Sequence, residues 1–548
     1  MCFLCFLCVS TFLCFYMNFT AEKIPYKQTG SFSRLVLDYL GDTASLKEFY
    51  NYLPDAEGLK KATADRKNFP VNRKVLVEVL SEQYKDLEKS DKLKANIDAL
   101  LSENTFTVCT AHQPNIFTGH LYFIYKILHA IKLAAELSEL MPDKKFVPVY
   151  YMGTEDADLE ELGEVHINGT KYHWKTTQTG AVGRMLIDKN FLEIIDAIAG
   201  QLSSEKYGDE IVSAIRNFYT EGTRLETATF HFVHSLFNKY GLVILLPDNK
   251  KLKQEFALVV MKEIAEQFSQ KAVATTVAGF PAEYKVQAAG REINLFYLKD
   301  NTRERIEQDS NGFTIANSDL KFTYDAFVQE LQKHPERFSP NVILRPVFQE
   351  MILPDVAFIG GGGELAYWLE LKNVFEEANA FFPALVLRNS FVLINKNTAD
   401  NIQKLGFKPT DFFKFEIQLN EMLVRRETAL QLDLKEEKEA LKSVYDKIKT
   451  EASAIDNTLC NHVHALRTQA LNRIEILEKK MLKAEKKKFE AQRRQIRKIK
   501  SVLYPEGVLQ ERSDNILDYI ARYGNNFIDT LYKNSNGSAQ SFTLLTEQ

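Results

Sequence analysis

The stretch from Thr105 to Leu137, TFTVCTAHQPNIFTGHLYFIYKILHAIKLAAEL, constrains the fold of this chain more than any other. It opens on a short apolar run of β-forming residues, Phe106 to Ala111. A polar loop follows from His112 to Thr118, containing Pro114 and Asn115. After Gly119 comes a long helical pattern, in which Leu121, Ile124, Leu128 and Ile131 recur at three- and four-residue spacing. Strand, loop and helix in that order predict an α/β sheet, whose ligands sit between strand end and helix start. Unpaired N–H groups and the helix dipole favour anions there. The loop is dense in hydrogen-bonding groups, with His112, Gln113, Asn115, Thr118 and His120, and Lys126 lies two turns into the helix. An ordinary βα connection with a polar loop has the same spacing, so on spacing alone the two readings stand level.

A second buried-strand pattern, Lys145 to Met152, runs directly into GTEDADLEEL and sets Glu155, Asp156 and Asp158 at a strand's carboxyl end. Three carboxylates within four residues repel one another unless a cation, amine or hydroxyl lies among them. The alternative is an acidic cap on a short helix. Leu242 to Leu246 is a continuous apolar run expected to return to the parallel sheet. Lys171 to Trp174 and Glu292 to Leu298 read as strands of an inserted α+β unit. Further on, Asn341 to Val347 and Val356 to Ile359 read as strands, Gly360 to Gly363 lead into a helix near Glu364, and Pro383 to Leu387 reads as another strand. Glycines at such a junction let backbone approach a ligand, but no Gly-Lys-Ser/Thr follows, so this is not a Walker phosphate loop.

From Leu419 to Leu503 the character changes. Leu441, Val444, Ile448, Ala452 and Ile455, then Val463, Leu466, Ala470, Ile474, Leu477, Met481 and Ala484, alternate by threes and fours. Asn457, Asn461 and His462 mark a break, which predicts an antiparallel hairpin arm. The chain divides into an apolar extension (1–16), N-terminal helices with the first half of a Rossmann-like core (17–164), the inserted unit (165–300) and the second half of the core (301–418). The coiled-coil arm (419–503) follows, then C-terminal helices packing back on the core (504–548) with a disordered end. A charged fraction of 26%, a hydrophobic fraction of 45% and a net charge of −4 are those of a soluble globular protein and argue against nucleic-acid or anionic-membrane partners. Four of the six cysteines crowd the first fourteen residues, so the rest of the chain fits a reducing cytoplasm. The extension itself reads as a start placed too early, with Met17 the expected start; a short membrane anchor is the alternative.

Four blocks together resemble one family. AHQPNIFTGHLYFIYK, GTEDADLEEL, RPVFQEMILPDVAFIGGGGELAYW and YPEGVLQER are similar, in order, to blocks of the bacillithiol biosynthesis cysteine-adding enzymes, BshC. His120, Ala157 and Gly362 depart from that pattern, standing where the family has Pro, His and Pro. The resemblance implies a Rossmann-like parallel-sheet core with inserted α+β units and a helical coiled-coil arm that dimerises. It implies an amide joining L-cysteine to the amine of glucosaminyl-malate, with ATP or another nucleotide as the expected activator. No motif locates that nucleotide, and no metal is expected unless magnesium accompanies it. On this reading Gln113, Asn115, Thr118 and the helix start at Gly119 hold an anionic group, with His112, His120, Tyr122 and Lys126 beside them. Glu155, Asp156 and Asp158 hold the amine and take its proton. Arg345 and Gln349 orient a carboxylate, and Gly360, Gly361, Gly363, Glu364 and Tyr367 form the opposite wall. The rival readings are a scaffold or sensor using the arm, or another nucleotidyl or aminoacyl transferase.

Overall fold

The computed structural model describes residues 19–310, 312–428 and 432–548. The extension assigned to 1–16 lies outside them. Two compact units form. One comprises the described residues up to Val392 together with Val508–Leu545; the other is Leu393–Gly507 with Thr546–Gln548.

The core of the first unit is a five-stranded parallel sheet built from β1 (Thr105–His112), β2 (Lys145–Met152), β3 (Val243–Leu245), β4 (Asp355–Gly360) and β5 (Ala384–Leu387), in the order β5-β4-β1-β2-β3. All eight residues of β1 are buried, as expected of a central strand covered on both faces. The helix α1 (Leu121–Leu140) follows β1 and buries Ala130, Leu133, Ala134 and Leu137 against Phe106, Val108 and Val356. After β3 the chain crosses to the other side of β1, so the strand order reverses between β1 and β4. In an open α/β sheet that crevice, at the carboxyl ends of the strands, is where ligands bind.

The structure corrects several expectations. The inserted unit does not end at 300: Leu295–Lys299, Thr302–Asp309, Gly312–Ile315, Lys321–Phe322 and Phe338–Pro340 form a second, antiparallel five-stranded sheet. Asn341 to Val347 is not a strand. Asn341 turns the chain, accepting the Ile343 N–H on its side chain at 2.9 Å, and a helix begins at Arg345 with Pro346 in its first turn, where the missing N–H costs nothing. The segment 17–104 is not helical throughout, because Phe19–Ile24 is a strand. The C-terminal end is not disordered: Phe542–Glu547 lies between Phe19–Ile24 and Phe391–Ile394 in a three-stranded sheet, with Phe542, Leu544 and Leu545 buried.

In the second unit α3 (Lys435–Ile455) and α4 (Leu459–Lys486) form the antiparallel hairpin. Asp446 with Arg467 at 2.7 Å and Lys438 with Glu478 at 2.8 Å fix its register. Val444, Ile448, Ile476 and Leu477 stay exposed along it. Among the described residues no helix is long and apolar enough to cross a membrane.

Candidate active site

A cavity of about 600 Å³ opens at the carboxyl edge of the core sheet. Every strand of that sheet contributes to its lining. Ala111 and His112 end β1, Tyr151 lies at the end of β2 and Gly153 to Asp156 in the turn after it, Pro247 follows β3, Gly361 follows β4 and Arg388 follows β5. Tyr122 and Lys126 enter from α1, and Gly363, Glu364 and Tyr367 from α2 (Gly362–Leu369). The antiparallel sheet adds Phe296 and Arg303, and the C-terminal segment adds Arg512.

The acids of the β2 turn separate into three roles. Glu155 is buried and ion-paired with Lys253, whose other acid neighbour is Asp248 at 3.8 Å. Burial pushes the Glu155 carboxyl up, and the Lys253 charge opposes that. Asp156 is half-buried in the cavity wall; its Oδ2 accepts from Gln113 at 3.0 Å and its Oδ1 from the Ala157 N–H at 2.8 Å. Asp158 does not reach the cavity. It caps the short helix Leu159–Leu162, accepting the Glu161 N–H at 3.1 Å, so for this residue the helix-cap alternative is correct.

The helix start at Gly119 is also not part of the cavity. The C-terminal segment plugs it: the Leu121 N–H donates to Asp514 O at 2.8 Å, His120 Nδ1 donates to Ser513 O at 3.2 Å, and Asn515 donates to the carbonyls of Phe117 and Gly119. Gly119 has φ +63°, and a Cβ there would stand 2.9 Å from that of Asn115, so the glycine serves the turn rather than a ligand. Asn115, Thr118 and His120 go with it and lie outside the lining, as does Gly360 at the end of β4. Gln349 sits behind the wall. Its Oε1 accepts from Arg345 at 3.1 Å, and its Nε2 donates to Glu350 at 3.0 Å and Asp355 at 3.2 Å. It therefore holds Arg345 in place instead of touching a ligand. Lys126 is 1% exposed and bonds Ala111 O at 2.7 Å and Glu364 at 2.6 Å; it is a built part of the cavity, not a side chain reaching for solvent.

Sequence reasoning missed most of the cationic lining. Arg291, Arg303, Arg345, Arg388, Arg512 and Lys126 face four carboxylates, those of Glu155, Asp156, Glu161 and Glu364. Among the described residues only Lys126 and Arg388 of these six cations are ion-paired, with Glu364 and with Glu511 at 2.7 Å. The Arg303 guanidinium lies over the Phe296 ring, 3.8 Å from its centroid. Burial lowers the Arg303 guanidinium, and Glu155 and Asp156 oppose that. Four guanidiniums without an ion pair give the cavity a cationic face that attracts anions.

Behind Glu155 the charges continue inward. Arg184 grips Asp248 through two bonds of 2.7 and 2.8 Å, and beyond lies Glu226, whose carboxyl is raised from 4.5 to about 7 by burial and by Asp248. The folded protein thus holds a proton at Glu226 that the unfolded chain releases near 4.5. That contribution to stability is full below the unfolded value and is lost as pH rises through the folded one. Wild-type stability should fall between pH 4.5 and about 7 by an amount that Glu226→Gln abolishes; urea midpoints across that window check it.

The family follows from the whole chain. The N-terminal Rossmann-like domain of bacillithiol biosynthesis BshC matches residues 19–389, and the C-terminal coiled-coil domain matches 391–547. The chain belongs to the BshC family. A relative from Flavobacterium johnsoniae named "Putative cysteine ligase BshC" is 38% identical over 96% of this chain and 99% of its own length. One of the same name from Christiangramia forsetii is 38% identical over 95% and 98%, and one from Bacillus cereus is 26% identical over 94% and 97%. The Rossmann-like core and coiled-coil arm expected from the sequence are those of BshC. In BshC terms, the GTEDADLEEL block supplies one wall of the cavity and the RPVFQE…GGGGELAYW block the other.

Proposed function

We propose that this chain is a carbon–nitrogen ligase joining the carboxyl of L-cysteine to the amine of glucosaminyl-malate. The observation that carries this reading is the presence, around one cavity, of unpaired arginines and a half-buried carboxylate, Asp156, that makes no ion pair among the described residues. A substrate bearing malate carboxylates and an ammonium matches both. The malate end meets Arg345, positioned by Gln349, and Arg303; the ammonium meets Asp156. An amine attacks only when neutral, so the carboxylate that holds the ammonium then accepts its proton. Glu155 is unsuited to that step, because Lys253 already neutralises it.

Amide formation also requires one oxygen of the cysteine carboxyl to leave, and a bare carboxylate does not release it. A nucleoside triphosphate, when bound, supplies a phosphate-bearing leaving group. The lining fits such a group: it is rich in cations, and Gly363 presents backbone on which a Cβ would meet nothing within 4 Å. Purified protein with L-cysteine, glucosaminyl-malate and ATP should yield the thiol amide by mass spectrometry together with phosphate or pyrophosphate. Amide without nucleotide consumption would overturn the activation step, and no amide under any nucleotide would favour a scaffold.

The proposed assembly is a homodimer through the arm. Val444 and Ile448 are 51% and 42% exposed on α3, an apolar pair at helical spacing. Replacing both by Asp should turn a dimer into a monomer in light scattering and leave helical content unchanged.

A further inference from the structure

We propose that the Glu364 carboxylate is an internal stand-in for a ligand oxyanion, and that a carboxylate or phosphate group of substrate displaces it from Lys126 and the Gly361 N–H. This rests on reading the cavity as the ligase active site. One oxygen, Oε2 of Glu364, accepts both from the Gly361 N–H at 2.8 Å and from Lys126 Nζ at 2.6 Å. It therefore occupies the place at the start of α2 that an oxyanion would take. The two partners differ in freedom. Lys126 is 1% exposed at its side chain and locked to Ala111 O, whereas the Glu364 side chain is 27% exposed in the cavity wall. A charged lysine this deep needs an anion beside it before a ligand arrives, and Glu364 supplies one that can swing out. Around the same spot the backbone is open: a Cβ on Gly361 would meet only Glu364 and Arg388, and one on Gly363 nothing.

A second, independent feature points to a ligand. His112 lines the cavity and is 9% exposed, and its Nε2 has no hydrogen-bond partner. Burial, then the neighbouring Lys126 charge, holds this ring far below the ordinary imidazole value, so it is neutral. In its Nε2–H tautomer this neutral ring is a donor without an acceptor, and an incoming oxyanion satisfies it. Because the arriving group competes with a carboxylate already in place, the nest favours a dianion over a monoanion.

The test uses inorganic phosphate and L-malate as separate probes, at constant ionic strength, on the full chain. Glu364→Gln keeps an acceptor for the Gly361 N–H but removes the competing charge. It should bind at least one probe about tenfold more tightly than wild type by calorimetry, with a correspondingly larger rise in melting temperature. Tighter phosphate alone identifies a phosphate of the activating nucleotide as the displacing group; tighter malate alone identifies the malate end of the amine substrate. Unchanged or weaker binding of both probes overturns the proposal and leaves Glu364 a helix cap. Should the variant fail to fold, a wild-type structure with phosphate decides. The proposal requires an oxyanion on Lys126 Nζ and the Gly361 N–H with Glu364 turned away, and it fails if Glu364 still holds both. Neither measurement depends on amide formation, so a failed ligase assay with Glu364 displaced would refute the ligase reading and not the stand-in.

Discussion

Asp156→Asn should lower the turnover of amide formation by about a hundredfold or more, the usual contribution of a positioned proton acceptor, with the fold intact. The asparagine keeps an oxygen for the Ala157 N–H, which Asp156 now accepts at 2.8 Å, and no ion pair is lost. What disappears is the carboxylate proposed both to hold the ammonium and to take its proton. Glu155, one residue earlier, cannot substitute while Lys253 neutralises it. The loss should fall mainly on kcat and shrink as pH rises, since more of the amine is then neutral without help. Product formation by mass spectrometry and an unchanged urea midpoint check both halves. Wild-type turnover in the variant would move the base to Glu161, the other unpaired carboxylate of the lining, which burial and then the charges of Asp158 and Asp156 push up.

Lys253→Met should cost about 3–5 kcal/mol of folding stability at neutral pH, the range for removing one partner of a buried ion pair. The Lys253 side chain is 1% exposed and stands between Glu155 and Asp248, themselves 9% and 6% exposed. Asp248 retains both bonds from Arg184, so the uncompensated charge falls on Glu155. Its carboxyl, already raised by burial, rises further without the lysine. A raised carboxyl binds a proton on folding, so the deficit should shrink as pH falls. Adding Glu155→Gln should recover part of it, and a double-mutant cycle by urea denaturation measures how much.

The parallel strands were legible because burial on both faces writes them as unbroken apolar runs, and the cavity's acids and glycines because they follow those runs directly. The errors have two causes: a weak local signal in some segments, and partners far away in sequence in others. NVILRPV is apolar enough for a strand, and Pro346 is all that marks the helix start. Asp156 and Asp158 are chemically alike, and which one caps depends on where a four-residue helix begins. The helix start at Gly119 carries the signature of an anion site, but Asp514 and Asn515 occupy it from nearly four hundred residues on. Arg303 reaches the cavity from a separate sheet, for which no local pattern exists, and Arg512 ends the YPEGVLQER block, in which it was given no site role. Arg388 was within reach, since it follows β5 as Glu155 follows β2.

The plug at the start of α1 also sets a timetable. The stretch that closes that helix, buries Glu511 on Arg388 and brings Arg512 to the cavity leaves the ribosome after the entire arm has been made. A nascent chain that has reached Gly507 holds all five strands of the core sheet but lacks the segment that closes the start of α1 and adds Arg512 to the cavity lining. Translation stalled within the arm therefore leaves the Arg388 guanidinium without its counter-ion, Glu511.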